Sequence, residues 1–151
     1  MKTDEQACAR GYDAGKRVKG RKRHILVDTL GLLLKARVLT ANIQDRDRAK
    51  MLFLDIKEQM PRLQLIWADG GYRGKLIEWV AVQCLSILEI VERNDQVKGF
   101  VILPKRWIVE RTFSWLNRNR RLSKDYERKI ESSEAFLYLS MSILMLKRLK
   151  I

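Results

Sequence analysis

Apolar and polar positions alternate loosely, with a period near two, from Arg23 to Leu30 and from Leu32 to Thr40, on either side of Gly31. That pattern predicts two strands of an antiparallel pair. Further along the period lengthens: Met51, Leu52, Leu54 and Ile56 follow Asp45 and Asp47, either of which can cap a helix, and precede Pro61. Leu63 to Ala68 is a short apolar run cut off by Asp69-Gly70-Gly71, which predicts a buried interior strand that stops abruptly. Lys75 to Gln83 reads as a short helix, Ser86 to Val91 as another strand, and Phe100 to Leu103 as an edge strand closed by Pro104. From Lys105 the pattern is helical to about Arg121. A C-terminal helix follows over 132–150, with Ser132 or Ser133 as N-cap and Lys147, Arg148 and Lys150 suiting its dipole. The first 22 residues, basic and punctuated by Gly11, Gly15 and Gly20, read as an extended arm. The order of elements predicts an α/β chain with a mixed sheet flanked by helices, and 151 residues predict a single domain with one core.

Composition changes this picture in one respect. Lys and Arg number 31 against 18 Asp and Glu, a net charge of +13. The excess is concentrated: Gly15 to His24 carries six bases and no acid, and Pro104 to Lys129 carries nine bases and three acids. The remaining 115 residues carry only +1 between them. Two basic segments on a nearly neutral body suit a surface that follows phosphates, because each neutralised phosphate releases a condensed counterion. A solvated face kept positive for solubility would not need the charge confined to two places. The candidate DNA-binding residues are Lys16, Arg17, Lys19, Arg21, Lys22 and Arg23 in the first segment, and Arg106, Arg111, Arg118, Arg120, Arg121 and Lys124 in the second.

Other classes recede. Cys8 and Cys84 lie far apart without metal-ligand spacing, which favours a reduced, cytoplasmic chain. The longest apolar stretch, Ala135 to Leu146, has twelve residues including two serines, too short for a bilayer. The start, Met1-Lys2-Thr3-Asp4-Glu5, has no apolar signal segment, so neither export nor a membrane partner is expected. His24 is the only histidine, which removes a histidine-based zinc site and the usual serine triad. Gly70-Gly71-Tyr72-Arg73-Gly74-Lys75 is one residue short of a phosphate loop, and Leu76 stands where a hydroxyl should hold magnesium.

Two acids remain as candidates for chemistry. Asp69 ends a buried strand and is followed by two glycines, the place where open α/β sheets hold their ligands. Ordinary Asp-Gly turn chemistry explains it equally well. Glu110 sits on the helix after Pro104 among Trp107, Phe113 and their apolar neighbours, with Arg106 one turn before it. Taken alone, an ion pair between Arg106 and Glu110, worth about 0.2–0.5 kcal/mol, is the simpler account.

Larger blocks alter both assessments. Gly11-Tyr12-Asp13-Ala14-Gly15-Lys16, Lys19 to Gly31, Asn42-Ile43-Gln44-Asp45-Arg46-Asp47, Ile66 to Tyr72, Val97-Lys98-Gly99-Phe100, Leu103 to Leu116 and Arg120 to Glu127 occur in an order that resembles bacterial insertion-sequence transposases of the DDE type. The resemblance is to the insertion-sequence 5 group within the insertion-sequence 4-like transposase domain, and it covers essentially the whole chain. It implies a ribonuclease-H-like catalytic core in which three carboxylates gather two divalent metals, Mg²⁺ or Mn²⁺, for in-line displacement on a DNA phosphate. On that basis Asp69 corresponds to the second catalytic and metal-binding acid and Glu110 to the third, with Arg106 matching the Arg that precedes the Glu in the family signature. The family Tyr and Lys fall on Leu103 and Asn117. The strand carrying the first Asp lies, in the family, just before the stretch that Lys2-Thr3 resembles, and Asp28 has no catalytic role there. The expectation is therefore a truncated catalytic domain over 1–151, lacking the first strand: a shortened or decayed copy, or the downstream frame of a frameshifted element. Its implied partners are transposon-end and target DNA, full-length transposase, or a second copy, in the nucleoid when DNA-bound. The other reading is a non-catalytic DNA-binding remnant that inhibits the full-length transposase.

Overall fold

The first basic run builds a strand. In a computed structural model that describes residues 3, 9–14, 17–42, 45–92 and 104–149, β1 (Gly11–Asp13) pairs antiparallel with the start of β2 (Val18–Val27). β2 then pairs antiparallel with β3 (Leu33–Thr40), Arg21 opposite Thr40 and Leu26 opposite Lys35, with a bulge between Leu26 and Val27. Of the extended arm expected over 1–22, residues 11–13 and 18–22 are paired strand, and the glycines there serve close packing as well as turns. A Cβ on Gly11 would lie 2.1 Å from the Asn42 side-chain oxygen. The β2–β3 turn is held by Asp28, whose carboxylate accepts from the N–H groups of Leu30 and Leu32. Gly31 closes it at φ +82°, a conformation that costs glycine little. Thr112 donates to the Gly31 carbonyl, and Arg111 to that of Leu30.

The chain divides into two compact units, 1–44 with 111–151, and 45–110. In the first, alternation along β3 turns Ala36 and Val38 inward against Leu116 of α3 (Pro104–Asn117), Leu122, and Leu137 and Met141 of α4 (Ile130–Arg148). α4 also occupies the free edge of β3. The Tyr138 hydroxyl accepts from the Ala36 N–H and donates to its carbonyl, and Glu134 accepts from the Val38 N–H. Side chains thus take backbone groups that an edge strand otherwise offers to another chain. Below this sheet Arg21 and Asp125 form an ion pair at 3.1 Å, exposed by 0% and 1% respectively.

In the second unit, α1 (Asp45–Gln59) turns Ala49, Leu52, Phe53 and Ile56 inward at helical spacing and leaves Met51 and Leu54 exposed. β4 (Leu65–Ala68) and β5 (Ile87–Ile90) pair in parallel, joined through α2 (Lys75–Cys84). Ile66 and Leu88 are buried, as are Leu76, Val80 and Cys84 of α2. Burial raises the Cys84 thiol above its ordinary pKa, which keeps it neutral.

Several expectations change accordingly. The fold is α/β, but among the described residues the antiparallel and parallel strands form two separate sheets rather than one mixed sheet. β4 pairs there with β5 alone, so its interior position is not seen. Each unit buries apolar side chains of its own. The last helix begins at Ile130 with Lys129 at its N-cap, one turn before Ser133, which is buried. The expected strand Phe100–Leu103 lies outside the described residues.

Arg21→Ala would leave the Asp125 carboxylate buried without its cation, a change that costs about 3–5 kcal/mol. Urea denaturation should show that loss, against less than about 0.5 kcal/mol for a surface change such as Arg118→Ala. Equal effects would contradict the buried position of the pair.

Candidate active site and basic surface

Asp69 stands at the carboxyl end of β4 and caps a single 3-10 turn, Gly70–Tyr72. One carboxylate oxygen accepts from the Gly71 N–H at 3.0 Å. The residue is exposed, and a Cβ added at Gly70 would meet nothing within 4 Å, so open space adjoins the carboxylate. Glu110 lies on α3 in the same unit, also exposed, with Oε1 accepting from Arg106 Nε at 3.2 Å. The turn and the i,i+4 ion pair that the residues alone suggested are therefore both present. An exposed pair of this kind contributes little to stability.

A second contact brings these elements together. Lys105 Nζ sits 3.6 Å from the centroid of the Trp67 ring, and Trp67 Nε1 donates to Glu89. Trp67 is two residues before Asp69, and Lys105 opens the helix that carries Glu110. Strand end and helix start are thus joined through a cation on an aromatic face. Only the side-chain geometry reveals the link.

The donor chemistry suits a hard divalent cation, since both groups offer carboxylate oxygens. The number does not. Among the described residues no three His, Cys, Asp or Glu side chains gather where they could hold a metal ion. Asp28 is committed to its turn.

The basic segments separate into two kinds of residue. Arg21 is wholly buried: its guanidinium donates to the Ala9 carbonyl, to Asp125, and to the carbonyls of Glu127 and Arg128. As a direct phosphate ligand it is corrected, because no part of it reaches solvent. Arg23 is half-buried and donates to the Leu122 carbonyl at 2.8 Å. Desolvation lowers its pKa below the ordinary value, with Asp125 opposing that shift. Arg17, Lys19, Arg106, Arg118, Arg120, Arg121 and Lys124 are exposed, whereas Lys22 and Arg111 are half-buried. Of the exposed ones, Arg121 bonds Glu127 and Arg106 bonds Glu110. Lys16 lies outside the described residues. Arg148, in the last turn of α4 as the sequence suggests, also lies 4.2 Å from the Trp115 ring centroid, with Arg111 4.8 Å from the same ring.

The family model for the transposase DDE domain matches residues 1–146. The chain belongs to that family. A protein of Burkholderia cepacia named as the inferred transposase for insertion sequence element IS402 is 29% identical over 132 residues, 83% of this chain. The match spans 62% of that relative's length. No solved structure matches the chain. Among the described residues no helix of this DDE-family chain is long and apolar enough to cross a membrane.

Since both acids are exposed and only locally bonded, Asp69→Asn and Glu110→Gln should each shift stability by less than about 1 kcal/mol, as an Asn still caps a turn and an exposed ion pair is weak. Thermal denaturation of the two variants checks this. A large loss in either would mean that the acid is structural.

Proposed function

We propose that this chain is part of a ribonuclease-H-like transposase catalytic domain that acts in DNA transposition, with Asp69 and Glu110 as metal-holding acids of a site completed by a further carboxylate. The observation that carries the reading is Asp69 itself, an exposed carboxylate at the end of β4 with open space at Gly70. The order of elements agrees with it: an antiparallel pair, a helix, then a parallel strand–helix–strand whose first strand ends in that acid. Mg²⁺ or Mn²⁺ in such a site would supply electrophilic assistance to displacement at a DNA phosphate. The chain's own contribution is to present Asp69 and Glu110 on elements joined through Lys105 and Trp67, and to follow the DNA backbone with exposed cations.

A second reading, a DNA-binding remnant that inhibits full-length transposase by occupying its ends, has one observation in its favour. Both acids already satisfy local partners, and no third ligand stands with them among the described residues. Catalysis separates the two readings.

Binding should come first in any test. Fluorescence anisotropy with duplex DNA should show affinity falling steeply as salt rises, with little dependence on sequence. Replacing Arg118, Arg120 and Lys124 with Ala should weaken binding to all sequences alike and reduce the salt slope by up to about three. An unchanged slope would mean that the second basic segment does not meet phosphates.

Cleavage is the decisive measurement. The chain by itself should bind DNA but neither cut nor join transposon ends with Mg²⁺ or Mn²⁺, because two carboxylates hold two repelling cations poorly. Joining a segment that supplies a further acid should confer metal-dependent cleavage, and Asp69→Asn or Glu110→Gln should abolish it while binding persists. Cleavage by the chain alone that disappears with Asp28→Asn would refute the assignment.

A further inference from the structure

We propose that Tyr126 is a stacking site for an unpaired DNA base, with Lys124 and Arg128 as ligands for the phosphates on either side of that base. The inference rests on the DNA-binding reading above and names a form of substrate within it, single-stranded rather than duplex DNA. It begins in the loop between α3 and α4. Asp125 is buried there and Glu127 half-buried, whereas Lys124, Tyr126 and Arg128 are exposed. Side chains thus alternate between interior and solvent, and those in solvent read cation, aromatic, cation. Tyr126 is 41% exposed. Lys124 Nζ stands 5.9 Å from its ring centroid, at the outer limit of a cation–π contact, so the ring stays open to solvent beside the charge.

The loop holds this display in place. Arg21 grips the Asp125 carboxylate and the carbonyls of Glu127 and Arg128, and Arg23 donates to the carbonyl of Leu122. Asp125 also accepts from the Glu127 N–H, and Arg121 turns back onto Glu127 at 2.8 Å. Tyr126 therefore has pinned neighbours on both sides. A tyrosine so mounted loses little freedom when a ligand covers its ring, because few side-chain torsions remain to be fixed.

A lone exposed tyrosine needs no ligand to explain it. What points to one is the position of this ring between two exposed cations on a pinned loop. Following phosphates takes cations and has no use for a phenol. A base face does use one: stacking on an aromatic ring accepts any base, and cations interleaved with aromatics are the arrangement that binds single strands. Within a duplex the faces are covered by neighbouring bases, so a side-chain ring meets one only where the stack is open. Lys124 and Arg128 are four residues apart, at most about 14 Å along the backbone, and their long side chains can bracket one stacked nucleotide.

Fluorescence anisotropy of the intact chain tests the proposal with three labelled ligands of equal length: a single strand, its duplex, and a strand of abasic residues that offers phosphates without base faces. Tyr126→Ala should weaken binding to the single strand at least about fivefold, the loss of one stacked base. Its affinity for the duplex and the abasic strand should stay within about twofold of the parent, since no phosphate contact is removed. Tyr126→Phe keeps the ring and should bind the single strand as the parent does. The salt slope on the single strand should be unchanged in Tyr126→Ala and lowered by about 0.7 in Lys124→Ala or Arg128→Ala. Because the ring is exposed, melting of Tyr126→Ala should match the parent. Salt-dependent binding of the single strand that is indifferent to Tyr126→Ala would overturn the stacking site and leave the DNA-binding reading standing. Equal losses on all three ligands would also overturn it, since the ring would then be supporting the loop. A chain that binds none of the three would overturn both readings.

Discussion

The guanidinium of Arg21 is the interaction on which the first unit depends. It takes a carboxylate from Asp125 and carbonyls from Ala9, Glu127 and Arg128, residues more than a hundred positions apart in the chain. Arginine can do this because its donors form a rigid planar fork, which an ammonium on a flexible stem cannot reproduce. Burial makes each bond obligatory, since an unpaired charge in that interior is severely penalised. Arg23, two residues on along the same strand, repeats the device with the carbonyl of Leu122. Between them these two side chains fasten the segment linking α3 to α4 beneath β2. The core cluster and the covered edge of β3 are consistent with that connection being fixed.

The second unit is organised on a different principle. Its parallel strand pair needs a crossover, and α2 provides one that buries Leu76 and Val80 behind Ile66 and Leu88. That packing leaves strand ends and helix starts free to carry polar groups. Asp69 and Glu110 use this freedom, and the contact of Lys105 with Trp67 ties their supporting elements to each other. Both acids cost the fold little, which is what allows a site to be assembled from them.

Legibility in the sequence follows physical scale. Periodicity located α1, α2, α3 and α4 and the strands β3, β4 and β5 within a few residues, because each is driven by local burial. It found the second half of β2, Arg23 to Val27, and missed the first, whose run Val18-Lys19-Gly20-Arg21-Lys22 has no apolar alternation. That half is specified instead by partners that lie far along the chain, and charge gives no local sign of them. The same distance hid the burial of Arg21, which by composition belongs with its exposed neighbours. At the candidate site, the Asp69 turn and the Arg106–Glu110 pair were legible because both are local. The link between Trp67 and Lys105 was not, since it joins positions 38 apart with no periodic relation. Family resemblance supplied what spacing could not, namely the expectation that these two acids belong to one chemistry.

The fastening of the α3–α4 segment beneath β2 has a consequence for the molecule as a polyelectrolyte. Most of both cationic stretches, residues 17–24 and 111–129, lies in one compact unit, so folding concentrates like charge that an expanded chain would spread out. Added salt would relieve that repulsion within the unit, while the same ions would compete with any polyanion for its exposed cations. Ionic strength would therefore favour the bare fold and oppose a complex with a polyanion, which would itself be the more effective counterion for a domain that carries its excess charge in so small a volume.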